Sequence, residues 1–156
     1  MTTRDLSSAA HAAEPGMDNP SGLDKLRAAL AGDHGVCGFD HALHIKVAEA
    51  ETGKIALTAP TAPDHANASG VMHGGWIAGV LDAASGGAVQ SVLAPNEAYT
   101  TLALQVTNLR AVPTGTTVRA EGCVVRAGGR VVTVEASVLV DGKACAIATA
   151  TCLRLT

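Results

Sequence analysis

Residues 71–94 read VMHGGWIAGVLDAASGGAVQSVLA, and the fold turns on how this run is understood. A membrane span is the first candidate, because the stretch is long and weakly polar. It fails, since Asp82 stands near the middle with His73, Gln90 and five glycines around it, and an ionisable group at bilayer depth is expensive. The better reading is a helix over residues 74–93 buried inside a domain. It stops ahead of Ala94-Pro95, because the residue before a proline avoids helical backbone.

Working outward from that helix, the flanking segments read mostly as strands. His41 to Ala50 and Lys54 to Ala59 are two candidates, joined by a turn at Glu51-Thr52-Gly53. Ile55 and Leu57 alternate with Ala56 and Thr58 in the second, as a half-buried strand requires. After the helix come Tyr99–Arg110, Thr116–Arg126, Arg130–Val140 and Lys143–Leu153. Gly128-Gly129 and Asp141-Gly142 between them are strong hairpin signals. Val132, Val134, Ala136 and Val138 share one face; Thr133, Glu135 and Ser137 share the other. Near the amino end, Leu23, Leu26, Leu30 and Ala31 fall on one side of a short helix stopped by Gly32, suited to covering a sheet edge. The expectation is an α+β domain over residues 21–156, preceded by a disordered tail over 1–20. One antiparallel sheet wraps one long helix, and its last four strands run as a meander.

Composition narrows the function. The 156 residues suit a single core, and 47% are apolar although Phe39, Trp76 and Tyr99 are the only aromatics. The net charge of −3 leaves no basic stripe for nucleic acid. Cys37, Cys123, Cys145 and Cys152 form no Cys-x-x-Cys pair and no metal-ligand spacing. Cys123, Cys145 and Cys152 lie in apolar strand-like runs and are expected as buried thiols. Without a secretory h-region at the amino end, a reducing cytoplasm is expected. His41, His44 and Asp64-His65 lack the three or four converging ligands of a zinc site. There is no Gly-x-Ser-x-Gly elbow, dinucleotide fingerprint or P-loop, so neither a metal nor a cofactor is expected.

The chemistry then concentrates on the helix. Asp82 is the one full charge between Asp64 and Glu97, flanked by Val80, Leu81, Ala83 and Ala84. A lone buried carboxylate is costly unless hydrogen-bonded or protonated. On the helix alone two readings stand: a site residue, or a carboxylate facing solvent or a polar seam. His73-Gly74-Gly75 opens the helix with two residues of poor helix propensity, about 1 kcal/mol each against alanine. Free backbone N–H groups at the positive helix end suit a developing oxyanion. Packing against the sheet is the plainer explanation, and it is the one preferred for Gly79 and Gly86. Asp82 lies roughly 12 Å along the axis from Gly74, too far to attack a carbonyl held there. If both serve one reaction, they come from two subunits related by a two-fold axis.

The run Asn67-Ala68-Ser69-Gly70-Val71-Met72-His73-Gly74-Gly75, with Asp82 nine residues after His73, resembles the hotdog-fold thioesterases. The likeness is greatest to the phenylacetate-degradation (PaaI-like) and 4-hydroxybenzoyl-CoA thioesterases with the acid on the central helix, and covers residues 23–155 in element order. The resemblance implies hydrolysis of an acyl-CoA thioester by a homodimer, and relatives commonly pair two dimers into a tetramer. It implies that Asp82 is nucleophile or general base and that the Gly74 N–H polarises the thioester carbonyl. Asn67 would place the water or the carbonyl. Thr101, or Thr100 if the preceding loop is one residue longer, would hold the water. His73 would position the loop rather than move protons. Arg126, Gly128, Gly129 and Arg130 lie on the hairpin where relatives contact CoA phosphates, which arginine suits; a solvated turn is the plain alternative. Arg110 has a weaker claim. Trp76 is bulkier than the aliphatic residue expected after Gly-Gly and would narrow an acyl pocket.

Two other functions remain at this level. A non-catalytic acyl-CoA sensor would keep the glycine-rich helix start but has no need of Asp82 and Asn67 together. A hotdog hydratase or dehydratase uses an acid and histidine placed differently.

Overall fold

The computed structural model describes residues 19–32 and 38–155. Cys37 and residues 1–18 of the expected tail lie outside them. Helix α1 (Gly22–Leu30) opens with a reciprocal cap in which the Ser21 hydroxyl accepts from Asp24 N–H and Asp24 reaches back to Ser21. A short helix α2 (Phe39–Ala42) precedes strands β1 (Lys46–Glu51) and β2 (Lys54–Pro60). A 3-10 turn at Pro63–His65 leads to the long helix α3 (Gly74–Gln90). Strands β3 (Ala98–Asn108), β4 (Thr117–Gly128), β5 (Val131–Val140) and β6 (Lys143–Leu155) complete the chain.

All six strands form one antiparallel sheet in the order β1-β2-β4-β5-β6-β3. Helix α3 packs against β2 through β6. Its Val80, Leu81, Ala84, Ala88 and Val89 are fully buried, facing Val118 and Ala120 of β4 and Val132, Val134 and Val138 of β5. The alternation read in the third post-helix strand is therefore the core face of β5. Small side chains let the layers close: a Cβ on Gly122 of β4 would collide with the backbone oxygen of Ala84.

Two expectations are corrected. The segment His41–Ala50 is not strand throughout, because Phe39–Ala42 is helical and β1 begins at Lys46. A long-range contact accompanies the turn: the edge of the Phe39 ring, otherwise 58% exposed, reaches the notch left by Gly79 on α3, 2.5 Å from where a Cβ would stand. His44, at φ 54°, then turns the chain into the strand. The last four strands are also not a consecutive meander. Strand β4 continues into β5 and β6 through the two predicted hairpins, but β3 pairs with β6 and lies at the sheet edge. The connection between β3 and β4 carries no hairpin signal. It is drawn under the start of α3, where Met72 N–H donates to Val112 O at 2.9 Å and Thr61 N–H to Thr116 O at 2.8 Å.

The two edges differ. Helix α1 packs against β1, as its apolar face anticipates, and β1 is further broken by a bulge between Val47 and Glu49. Strand β3 is 11 residues long, and nothing among the described residues covers its outer side.

Candidate active site

Asp82 sits in mid-helix, half-buried, where α3 passes β3. The Thr101 hydroxyl donates to its Oδ1 at 3.0 Å. Tyr99 and Thr101 both face inward, and so do Leu104 and Val106. That change of phase is made by a bulge between Thr101 and Ala103, with Leu102 thrown outward. A bulge lets one strand aim a polar side chain at the helix and still seal the core further along. Thr100 is exposed and makes no such contact.

Other titratable groups gather here. The Cys152 thiol lies 4.0 Å from Thr101 Oγ1; burial pushes its pKa up, and Asp82 adds to the rise against the Thr101 contact. Tyr99 is pushed up to about 12, first by burial and then by Cys152, Asp82 and Asp40. Gly86 makes room for its ring, since a Cβ there would strike the Tyr99 hydroxyl. Asp40, beside the docked Phe39, is raised by burial and by the charge of Asp82. Nothing in the sequence marks Asp40 as a neighbour of Asp82, because the docking of α2 on α3 brings it there.

A second cluster surrounds the start of α3. His73 is the N-cap residue: its Nδ1 accepts from Gly75 N–H at 2.9 Å, and its carbonyl accepts from Trp76 and Ile77. The imidazole proton therefore resides on Nε2. With those three amides engaged, Gly74 N–H is the amide of the first turn left without an acceptor among the described residues. Gly74 is not tightly packed either, for the nearest atom to a Cβ there would be Asn108 Nδ2 at 3.7 Å. Sheet packing thus does not account for that glycine. A cavity of about 330 Å³ opens in front of it, lined by Asn67, Met72, Ile77, Asn108 and Arg110 among others. Asn67 Oδ1 accepts from Ser69 N–H at 2.8 Å, which fixes its carboxamide in the loop. Asn108 was not singled out from the sequence; at the end of a strand, no periodicity marks it.

The chain therefore brings Asp82 to Thr101, and Asn67 to Gly74, but holds the two pairs at separate places along α3. Arg126, Gly128, Gly129 and Arg130 lie on the exposed β4–β5 hairpin, and Gly129 takes φ 57° at its tip. The register Thr101–Cys152–Val132–Ala127 puts that hairpin at the Asp82 end of the sheet. Arg110 Nη1 is held by Ala144 O at 2.8 Å, beside the Gly74 cavity. Trp76 is buried and stacks on His65 with centroids 6.5 Å apart. A larger recess of about 850 Å³ on the outer sheet face, among Glu49, Lys54, Arg119 and Glu135, touches none of these groups. No group of three or more metal-ligating side chains occurs among the described residues, and no described helix is long and apolar enough to cross a membrane.

One antiparallel sheet wrapped around one long helix is the hotdog architecture. The family model of the thioesterase superfamily matches residues 69–146, and the chain belongs to that superfamily. Among solved structures, a phenylacetic acid degradation-related protein of Ralstonia eutropha is 25% identical with a TM-score of 0.77, covering 82% of this chain and 98% of its own. A mutant of the phenylacetic acid degradation protein PaaI of Thermus thermophilus is 26% identical, TM-score 0.70, covering 75% and 98%. A Streptococcus mutans protein solved with acetyl CoA has the same fold at 24% identity and TM-score 0.70, covering 78% and 94%. No curated protein matches by sequence.

Proposed function

We propose that the protein hydrolyses an acyl-CoA thioester to free acid and CoA at a site shared by two copies of the chain. The observation that carries this reading is the division of labour on α3, with a Gly74 N–H that has no acceptor among the described residues at its tip and a Thr101-held Asp82 roughly 12 Å further along. An antiparallel partner helix would bring Asp82 of the partner subunit to the Gly74 tip. The uncovered edge of β3 supports such pairing, because an exposed long edge strand is a template for another chain. The acetyl CoA bound to the Streptococcus mutans protein of the same fold supports a CoA ester as substrate. The free thiols of buried Cys145 and Cys152 and of Cys123, which is exposed where the apolar run suggested burial, suit a reducing cytoplasm.

In this mechanism the thioester oxygen accepts from Gly74 N–H, and the helix dipole favours the negative charge that develops there. Asp82 takes a proton from water, whose oxygen attacks the carbonyl carbon; the C–S bond breaks and the proton passes to the departing CoA sulfur. Alternatively Asp82 itself attacks the carbonyl carbon and the C–S bond breaks to release CoA thiolate; water then opens the mixed anhydride, freeing the acid and the Asp82 carboxylate while its proton passes to the thiolate. Asn67 orients the carbonyl or the water, Thr101 steadies the carboxylate and the water beside it, and His73 keeps the helix tip in order. Arg126 and Arg130, with the backbone at Gly128 and Gly129, face the CoA phosphates.

A thiol-release screen over short, long, branched and aromatic acyl-CoAs tests the reading. Wild type should release CoA, and Asp82→Asn should lower kcat about 10³-fold with its unfolding midpoint kept. Full activity in that variant would end the role of Asp82. CoA ester binding without thiol release would replace the enzyme by a sensor. Label found in Asp82 after single turnover in ¹⁸O water establishes the anhydride route, with water opening the anhydride at the Asp82 carboxyl carbon.

A further inference from the structure

We propose that Asn108 is a second donor to the thioester carbonyl, its carboxamide acting together with Gly74 N–H. This deepens the thioesterase reading and rests on it. A single backbone N–H leaves most of the hydrogen-bonding capacity of a tetrahedral oxyanion unmet, and such sites work by converging donors. The cavity in front of Gly74 is where a second donor is needed, and Asn108 lines it.

The geometry permits convergence. Asn108 Nδ2 stands 3.7 Å from the position of a Gly74 Cβ. A Cβ lies about 2.5 Å from its own backbone nitrogen by standard covalent geometry, so the two donor nitrogens are at most about 6 Å apart. An oxygen with two contacts of about 2.9 Å bridges nitrogens up to about 5.8 Å apart, so all but the far limit of that range is within reach and a side-chain rotation closes the rest. Direction agrees as well, since Cβ and N–H at a helix start both lean toward the amino end.

The side chain is also available and well based. Its exposed carboxamide has no hydrogen-bond partner among the described residues and is free to rotate, whereas that of Asn67 is held in one orientation by Ser69 N–H, which donates to its Oδ1. Its backbone is clamped. Asn108 pairs with Ala146, and the next two residues, Leu109 and Arg110, both donate to Cys145 O, at 2.8 and 3.0 Å. A donor on a fixed strand end needs only a side-chain rotation to reach the oxygen.

Asn108→Leu keeps the size and removes the donors; Asn108→Asp substitutes a charged acceptor. Both are compared with wild type for kcat and KM on the acyl-CoA turned over fastest. Binding is measured for two matched probes, a ketone in which methylene replaces the thioester sulfur and an S-alkyl thioether without the carbonyl. The expected result is a fall in kcat of about 10²-fold for Asn108→Leu, lower still for Asn108→Asp. Binding of the ketone should weaken and binding of the thioether should not. A kcat within about twofold of wild type, or equal weakening of both probes, overturns the role of Asn108 and leaves the thioesterase reading in place. Absence of turnover and of probe binding in wild type overturns both. A lowered urea midpoint in Asn108→Leu transfers the decision to Asn108→Asp, where retained kcat is equally fatal.

Discussion

The Thr101 hydroxyl points at Asp82 because the residue after it, Leu102, is the extra residue of a bulge. Strict alternation along β3 would turn either Thr101 or the Leu104–Val106 pair away from the helix. The bulge permits both, so the polar contact with the acid and the apolar seal beyond it come from one strand. Gly86, which admits the Tyr99 ring, works to the same end from the helix side.

Removing that hydroxyl should therefore be felt in the chemistry more than in the fold. A hydrogen bond to a charged group is worth about 1.5–3 kcal/mol, which corresponds to roughly 10- to 100-fold in rate if the bond matters equally in the transition state. Thr101→Val should lower kcat within that range at near-constant KM, and Thr101→Ser should restore most of it. Equal activity in all three proteins would show that the hydroxyl is a bystander.

Tyr99 is the only tyrosine in the chain, so its titration can be followed without ambiguity. Its folded pKa of about 12 stands above the ordinary 10.0 because burial and the negative groups around it disfavour phenolate. The native protein should gain phenolate absorbance with a midpoint near 12, and the urea-unfolded chain near the ordinary value. Because the folded value is raised, this stabilisation is complete below the unfolded pKa and is lost as pH climbs through the folded one. A native midpoint at the ordinary value would mean that Tyr99 is solvated and not packed at Gly86.

How much of this is legible in sequence depends on whether the cause is local. Hairpins at Gly128-Gly129 and Asp141-Gly142 follow from turn chemistry, and the buried face of β5 follows from alternation. Asp82 is conspicuous as the lone charge in an apolar run. By contrast, the pairing of β3 with β6 is a property of the closed sheet, which no adjacent residues encode. The helical turn at Phe39 sets the edge of its ring against Gly79, 40 residues away, a contact that no local pattern announces. Alternation leaves Thr100 and Thr101 equivalent, since the bulge that separates them is a matter of pairing. Asn108 and Asp40 reach their places by tertiary contact, and neither carries a pattern of its own.

Asp40 gives a pH dependence with a definite sign. Its carboxyl is raised above the ordinary 3.8 by burial and then by Asp82, so the folded protein binds this proton more tightly than the unfolded one. The stabilisation is present below the unfolded pKa and disappears as pH rises through the raised folded value. Asp40→Asn removes the titration. Relative to wild type, the variant should gain in urea midpoint between about pH 3 and pH 7. A difference that stays constant with pH, or shrinks, would show that neither burial nor the Asp82 charge raises Asp40.

His73 offers a direct choice between a cap and a proton carrier. Its Nδ1 accepts from Gly75 N–H, which satisfies that amide and leaves Gly74 N–H exposed to the cavity. Loss of an N-cap side chain costs about 1 kcal/mol, and asparagine is among the best replacements at such a position. His73→Ala should therefore lower stability by about that amount and reduce kcat, because an unfixed first turn no longer presents a single amide. His73→Asn cannot shuttle protons but can cap. Recovery of both stability and turnover in His73→Asn establishes the cap. Recovery of stability alone, with kcat still low and a limb missing from the pH–rate profile, would instead make His73 an acid or base in the reaction.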